Sequence, residues 1–227
     1  MTSYPTGIDL FCGCGGFSLG MIQAGFHVVA AIDNSPMALA TYYANLCDEN
    51  TWIIGDIPRK YAKHFTRPDA WRTKQPPGSI PPPVSALFCK SVFEISGWDM
   101  LNAAGIDQVD VVIGSPPCQS FSSCNTSKKK NDPRHFLMFE YARLAMEIYP
   151  RTMMLENVPD VTKATLPNGW NLVETFQKIL SQYDWELYYE VRAMYPDIET
   201  ICSSLPANQQ CNLKDFNPSH AANPPGN

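Results

Sequence analysis

Residues 9–20, DLFCGCGGFSLG, are the stretch of sequence that decides the fold. The stretch begins inside an apolar run, GIDLF at residues 7–11, which is typical of a buried strand. Its glycines favour a tight turn that opens a helix. In doubly wound α/β folds, the turn between the first strand and the first helix is the position that binds a nucleotide cofactor. Glycines also form tight turns for packing reasons alone, so this stretch by itself leaves both interpretations open.

Strand and helix patterns alternate after this turn. HVVAAID at 27–33 predicts a strand, and SPMALATYYANL at 35–46 predicts a helix with Ser35 as N-cap and Pro36 at the first helical position. The further predicted elements are the strands TWIIGDI (51–57), DVVIG (110–114), RTMMLENV (151–158) and WELYYEV (185–191), and the helices HFLMFEYARLAMEIY (135–149) and NLVETFQKILSQY (171–183). The alternation predicts an α/β Rossmann-like fold, a mostly parallel sheet with helices on both faces.

Two segments interrupt the alternation. Residues 58–90 contain QPPGSIPPPVS, and proline fits neither a central strand nor a helix interior, so we interpret this segment as a surface insertion. Residues 193–227 are polar, rich in proline and asparagine, and without a period, which predicts an irregular or disordered tail. Residues 1–192 are therefore expected to form the one folded domain.

The composition narrows the class of protein. A chain of 227 residues with 44% hydrophobic residues is long enough for one α/β domain with a real core. No apolar run approaches the length of a membrane span, and the first residues lack a secretory signal, so the eight cysteines are expected as reduced thiols in the cytoplasm. The cysteine spacing contains no CxxC pair and predicts no metal site. The net charge of −5 disfavours a free-standing nucleic-acid binder.

Three reactive or acidic side chains follow the predicted strands. Asp33 ends the second strand, where an acidic residue can bind the hydroxyls of a ribose. Cys118, within SPPCQSFS at 115–122, follows DVVIG, and Glu156 ends the next strand. Because the carboxyl ends of parallel strands share one edge, the thiol and the carboxyl can converge on one substrate. Each of these side chains alone also has a structural explanation, since cysteines are often buried and a glutamate at a strand end is often solvated. The spacing of the glycine loop and Asp33 does not distinguish a dinucleotide cofactor from S-adenosylmethionine.

With these residues in place, the chain resembles the cytosine-5 DNA methyltransferases. Four ordered stretches carry the resemblance, DLFCGCGGFSLGMIQAGF (9–26), AAIDNSPMALATYYAN (30–45), FEISGWDML with VDVVIGSPPCQSFS (93–101 and 109–122) and NDPRHFLMFEYARLAMEIYPRTMMLENV (131–158). The resemblance implies a fold dependent on S-adenosyl-L-methionine. It also implies a DNA (cytosine-5-)-methyltransferase, of the kind that serves as the modification enzyme of a restriction-modification system.

The resemblance assigns residues to the cofactor and to catalysis. The residues implied for the S-adenosyl-L-methionine pocket are Phe11, Gly13, Gly15, Gly16, Asp33 at the ribose and Asp56 on the adenine side. The family has its third acidic position just before a segment like EISG, where this chain has Ser91 and Val92. Cys118 is implied as the nucleophile that attacks C6 of cytosine, and Glu156 as the carboxyl that engages N3.

The resemblance further implies that the target cytosine is flipped out of the DNA duplex into a substrate loop. The residues assigned to this substrate loop are Pro117, Gln119, Ser122, Lys128, Arg134 and Asn157, with Lys128 and Arg134 as candidates for contacts to phosphate. The basic run of residues 128–130 is compatible with phosphate contacts and equally with a solvated loop.

The family's later parts are not visible in this sequence, namely a Gln-x-Arg-x-Arg motif, a target-recognition region and the closing motifs. We therefore expect a chain that is inactive alone or completed by a second chain with the target-recognition region. Two alternatives remain open: a non-catalytic cofactor-binding or assembly module, and a relative that methylates cytosine in tRNA.

Overall fold

Six strands form one parallel sheet in the computed structural model, which describes residues 4–65, 71–117 and 132–200. The strands are β1 (Thr6–Leu10), β2 (His27–Asp33), β3 (Trp52–Ile54), β4 (Ala86–Cys89), β5 (Val111–Gly114) and β6 (Thr152–Leu155). Their order across the sheet is β3-β4-β2-β1-β5-β6. Ile8 at the centre pairs with Ala30 of β2 and Val112 of β5. All carboxyl ends therefore lie along one edge.

Helices cover both faces of the sheet, as the sequence predicts. They are α1 (Gly16–Gln23), α2 (Pro36–Leu46), α3 (Arg59–Ala62), α4 (Gly97–Ala104), α5 (Leu137–Ile148), α6 (Leu172–Gln182) and α7 (Trp185–Ala193). Short 3₁₀ turns occupy Arg72–Lys74, Val92–Glu94, Pro133–Phe136 and Pro159–Lys163. None of the helices in the described part of the chain is long and apolar enough to cross a membrane.

Alternate residues of each strand enter two hydrophobic cores, because successive side chains of a strand point to opposite faces. Ala86 and Phe88 of β4 pack in the core that includes α4, α5, α6 and α7. Leu87 of the same strand packs in the other core, with Ile22 of α1 and Leu39 of α2. The predicted α/β Rossmann-like fold is thereby confirmed.

One predicted strand is wrong: WELYYEV forms helix α7. Asp184 caps this helix by accepting a hydrogen bond from the Leu187 amide at 2.8 Å. Leu187, Tyr188 and Val191 are buried, and their spacing places them on one helical face. The alternation of large apolar residues in this segment is compatible with a strand, but the N-cap and the packing on the α5 side of the sheet favour the helix.

One central strand was not predicted. β4 lies within the segment interpreted as a proline-rich insertion, and it pairs with both β2 and β3. Its four residues, ALFC, are all buried, and so short an apolar run shows no period. Phe65, Trp71 and Ile80 of the preceding crossover pack against the core on the α1 and α2 side.

The residues that follow α7 still contribute to the hydrophobic core. Tyr195 and Ile198 are buried against the α5 side of the sheet. The part of the predicted tail beyond Thr200 lies outside the described residues.

Candidate active site

The glycine loop, residues 11–16, connects β1 to α1 through a left-handed backbone. Phe11, Gly13 and Gly15 have φ values of 58°, 51° and 93°. A Cβ on Gly15 would lie 2.7 Å from Leu46 Cδ1 and 2.8 Å from Tyr42 Cδ2, so only glycine lets the loop pack this closely on α2. A Cβ on Gly16 would meet no atom within 4 Å. The loop is tightly packed on the α2 side and open at the start of α1.

Asp33 fastens this loop to the next strand. Its Oδ2 accepts a hydrogen bond from the Gly13 amide at 2.9 Å, and its Oδ1 accepts one from the Ser35 amide at 2.8 Å. Burial raises the pKa of Asp33, although the hydrogen bonds from the Ser35 and Gly13 amides lower it in part. Two residues expected at the cofactor from the sequence, Gly13 and Asp33, are thus in direct contact.

Asp56 lies one strand further from the glycine loop than the sequence suggests. It follows β3, the outermost strand, while β4 lies between β3 and the strand that ends at Asp33. Gly55 has a φ of 113°, and a Cβ there would clash with the Cys89 carbonyl oxygen. Burial, together with the charges of Asp33 and Asp56, raises the pKa of the Cys89 thiol to about 11. Both carboxylates therefore act on the same thiol at the end of β4.

The position next to Asp33 on the sheet edge belongs to the end of β4. The Lys90 amide donates to the Asp33 carbonyl oxygen at 3.2 Å. Ser91 follows it and caps the 3₁₀ turn Val92–Glu94 by accepting from the Phe93 amide at 3.4 Å. A serine rather than an acid thus follows the end of β4, and the edge strand β3 contributes the acid Asp56, which like Asp33 acts on Cys89.

The ends of β5 and β6 bring the expected substrate residues together. The Glu156 amide donates to the Gly114 carbonyl at 3.0 Å, and the Asn157 side chain donates to the Pro116 carbonyl at 3.2 Å. The Glu156 side chain is exposed, and Pro117 follows directly on this edge. The predicted residues Cys118, Gln119, Ser122 and Lys128 lie outside the described residues.

Arg134 is held by an ion pair at the start of the α5 segment. Its Nη2 lies 2.6 Å from Asp132 Oδ2, and its Nε donates to Asp132 Oδ1 at 3.0 Å. Burial raises the pKa of Asp132, but the hydrogen bonds and charge of Arg134 outweigh it and lower the pKa overall. Arg134 is thus fixed just after residues 118–131 by a carboxylate partner.

Sequence reasoning missed a buried carboxylate beneath the loop. Asp9, within β1, is 1% exposed and accepts a hydrogen bond from Ser18 Oγ at 2.6 Å. An acidic residue inside an apolar strand is the signal that could have found it. Within residues 4–65, 71–117 and 132–200, no group of histidine, cysteine, aspartate and glutamate could hold a metal ion.

Comparison with known proteins gives a family match over most of the chain. Residues 6–71 and 90–194 match the model of the C-5 cytosine-specific DNA methylase family. The type II methyltransferase M.XorII of Xanthomonas oryzae pv. oryzae is 34% identical over 160 residues, which are 70% of this chain and 29% of that protein. The DNA (cytosine-5-)-methyltransferase M.ApeKI of Aeropyrum pernix is 30% identical over 190 residues, 81% of this chain and 35% of that protein. The chain thus spans about a third of the length of these relatives.

A solved structure shares the fold. It is described as a DNA modification methyltransferase encoded within a prophage of E. coli, and it aligns with a TM-score of 0.52 at 24% identity. The alignment covers 78% of this chain and 38% of that one.

Proposed function

This chain belongs to the C-5 cytosine-specific DNA methylase family, and from that premise we propose that it methylates C5 of cytosine in DNA with S-adenosyl-L-methionine. The observation that carries the proposal is the bond between Asp33 and the Gly13 amide, which assembles a glycine loop and an acid at the carboxyl edge of the sheet. Glu156 lies at the end of β6 on the same edge. Relatives named type II methyltransferases support a role as the modification enzyme of a restriction-modification system.

The cofactor pocket is formed by the glycine loop and the strand ends beside it. The residues proposed to line it are Phe11, Gly13, Gly15, Gly16, Asp33 and Asp56. The Asp33 carboxylate accepts hydrogen bonds from two backbone amides and can accept more, which suits the two hydroxyls of a ribose. When bound, S-adenosylmethionine supplies a methyl group on a positively charged sulfur. The open space at Gly16 is compatible with a ligand against the start of α1.

Catalysis is proposed to use Cys118 and Glu156. The Cys118 thiolate forms a bond to C6 of cytosine, and the electron pair of the C5–C6 double bond makes C5 a nucleophile. Glu156 shares a proton with N3 and offsets the negative charge that develops on the ring. After C5 is methylated, it loses its proton, the double bond re-forms, and Cys118 leaves as the thiolate. Glu156 is exposed, and the side chain of the next residue, Asn157, binds the Pro116 carbonyl, which supports this placement.

DNA is the proposed partner, with the target cytosine flipped out of the stack. Pro117, Gln119, Ser122, Lys128, Arg134 and Asn157 are proposed to line the substrate loop. In the cell, the protein is proposed to work in the cytoplasm.

A second polypeptide, or a further segment, with the target-recognition region is proposed to complete the enzyme. No strand lies beyond β6 within the described residues, so its outer backbone groups are open to pairing. Met154 of this edge strand is 52% exposed, whereas every residue of the central strand β4 is buried. The greater length of the relatives also supports a completing part.

Transfer of a labelled methyl group tests the proposed function. The chain, combined with a polypeptide that has the target-recognition region, is incubated with methyl-labelled S-adenosylmethionine and either duplex DNA or tRNA. Label in DNA cytosine is expected. Label in tRNA alone would identify an RNA methyltransferase, and cofactor binding without transfer to either would identify a non-catalytic module.

Cofactor binding has a separate test. Asp33→Ala should weaken the binding of S-adenosylmethionine by about 1.5–3 kcal/mol, because hydrogen bonds to a charged group are lost. Calorimetry on the folded variant measures this, and unchanged affinity would contradict the role of Asp33.

A further inference from the structure

A buried polar chain lies beneath the glycine loop and takes no part in the proposed chemistry. It consists of Asp9 in β1, Ser18 in α1 and Tyr42 in α2. Ser18 Oγ donates to Asp9 Oδ2 at 2.6 Å, and Ser18 Oγ lies 2.8 Å from the Tyr42 hydroxyl. All three residues are buried, and Asp9 is only 1% exposed. Its carboxylate therefore cannot touch a ligand and can act on one only through its charge.

These three hydrogen-bonded residues lie directly against the loop proposed to bind the cofactor. Asp9 is two residues before Phe11, where the loop begins, and Ser18 is in the first turn of the helix that the loop opens. The ring of Tyr42 is where a Cβ on Gly15 would clash. The Asp9 side chain is thus tied to α1 just after the loop, while Asp33 holds the loop itself at Gly13.

The titratable groups around Asp9 are all acids. They are Cys12 in the loop, Asp33 at the end of β2, Tyr42 from α2 and Tyr141 from α5, and Cys47 in turn lies near Cys12 and Tyr42. Within the described residues, neither Asp9 nor Asp33 forms an ion pair. Because the surroundings of Asp9 exclude water, its charge is weakly screened. A positive charge bound at the loop would be the first cation to offset it.

We propose that Asp9 is a specificity-determining residue whose buried negative charge favours the cationic S-adenosylmethionine over the neutral product S-adenosylhomocysteine. The inference rests on the proposed function, since it concerns the ligand of the same loop. The cofactor has a net charge of one positive unit, from its sulfonium and ammonium groups and its carboxylate, and the demethylated product has none. Shape contacts are nearly the same for both, so the charge distinguishes them.

The preference depends on pH because Asp9 titrates near neutrality. Burial and the charge of Asp33 raise its pKa, the hydrogen bond from Ser18 lowers it in part, and the resulting pKa is about 7. Above this pH Asp9 is charged and favours the cation; below it Asp9 is neutral and the preference is lost. By linkage, the bound cation in turn lowers the pKa of Asp9.

Calorimetry of the 227-residue chain with three ligands tests the inference. The ligands are S-adenosylmethionine, S-adenosylhomocysteine and an analogue with an ammonium group in place of the sulfonium. The affinity ratio of S-adenosylmethionine to S-adenosylhomocysteine should rise about fivefold between pH 6 and pH 8.5. The ammonium analogue should follow S-adenosylmethionine. In Asp9→Asn the ratio should be the same at both pH values. If Asp9 had only a structural role, the substitution would weaken the binding of both ligands equally and leave the pH dependence of the ratio in place.

Two further variants separate charge from packing. Tyr42→Phe keeps the Asp9 charge and removes one hydrogen bond, so the ratio should still rise with pH. Ser18→Ala removes the bond that lowers the pKa of Asp9, so the rise should move to higher pH, and this result decides the matter even if Asp9→Asn does not fold. A wild-type ratio that stays flat while both ligands bind would overturn the inference alone. Binding of neither ligand to the folded protein would overturn the proposed function as well.

Discussion

Asn157 donates a hydrogen bond from its side-chain amide to the carbonyl oxygen of Pro116 over 3.2 Å. The Val158 amide donates to the Asn157 side-chain oxygen at 2.9 Å, which fixes the orientation of the amide group. Pro116 is two residues before Cys118, and Asn157 follows Glu156. The bond therefore couples the end of β6, where Glu156 lies, to the segment that leads to Cys118.

Asn157→Ala should lower the free energy of unfolding by about 1 kcal/mol and slow the attack of Cys118 on cytosine, because Pro116 loses its partner. Cofactor affinity should stay the same, since the glycine loop is not involved. Urea unfolding measures the first effect, the rate of adduct formation with DNA containing 5-fluorocytosine measures the second, and calorimetry measures the cofactor affinity. Asn168→Ala is the matched control, because Asn168 bonds only within an exposed turn. Equal behaviour of the two variants would contradict the coupling.

Gly15→Ala should destabilise the protein by more than about 1 kcal/mol and abolish cofactor binding, because Gly15 has a positive φ and no room for a Cβ. Gly20→Ala is the control within the same segment. Gly20 lies inside α1 with open space at its Cβ, and alanine there should stabilise the helix by about 0.5–1 kcal/mol. Thermal unfolding of both variants measures the contrast, and destabilisation by Gly20→Ala would contradict the helix assignment.

Arg143 joins α5 to the segment that follows β4. Its guanidinium donates to Glu140 at 2.9 Å and to Glu147 at 2.9 Å, and also to the carbonyl oxygens of Val92 and Ile95 at 2.8 and 3.1 Å. Glu140 is buried, so its carboxyl group would lose its cationic partner inside the protein if Arg143 were removed.

Arg143→Met should therefore lower the free energy of unfolding by about 3–5 kcal/mol, the usual cost of breaking a buried pair. The exposed pair of Lys163 and Asp160 at 2.8 Å provides the comparison. Lys163→Met should cause no measurable change, because water solvates both partners in either state. Urea unfolding measures both, and an equally small effect of Arg143→Met would contradict the role of this buried pair in stability.

Asp9 should make stability fall as pH rises. The folded state holds the Asp9 proton up to about pH 7, whereas the unfolded state releases it near the ordinary value of 3.8. The contribution of Asp9 is therefore complete below pH 4 and is lost as pH rises to 7, at about 1.4 kcal/mol per pH unit at most. Asp9→Asn lacks this contribution, so its stability relative to the wild type should improve from pH 5 to pH 8. Parallel stability curves would show that Asp9 does not titrate in this range.

Local sequence patterns predicted β1, β2 and α2, because their apolar runs, glycines and the Ser35 cap act over a few residues. They failed at β4 and α7. The run Ala86–Cys89 is a strand because β2 and β3 pair with it on both sides, and that pairing is not visible in four residues. Trp185–Ala193 alternates large apolar residues, but packing on α5 decides its conformation, as in the bond of Tyr188 to Glu140 at 2.6 Å.

The candidate site was likewise predicted only in part from the sequence. The predicted strand ends placed Gly13, Asp33 and Glu156 on one edge, and the topology brings them there. Asp9 is recognisable locally as an acid inside an apolar strand, but its contact with α2 and the bonds of Arg143 depend on residues far apart in sequence, such as Val92, 51 positions from Arg143. No local pattern contains them.

Trapping a covalent complex on Cys118 tests the central proposal most directly. DNA containing 5-fluorocytosine has no removable proton at C5, so after methyl transfer the thiol cannot leave. The chain, with the polypeptide that has the target-recognition region, is mixed with this DNA and S-adenosylmethionine, and the adduct is mapped by mass spectrometry after denaturation. The adduct should lie on Cys118, disappear in Cys118→Ser because a hydroxyl is far less ionised than a thiol, and persist in Cys124→Ser. An adduct on Cys124, one that survives Cys118→Ser, or no adduct at all would contradict the proposed mechanism.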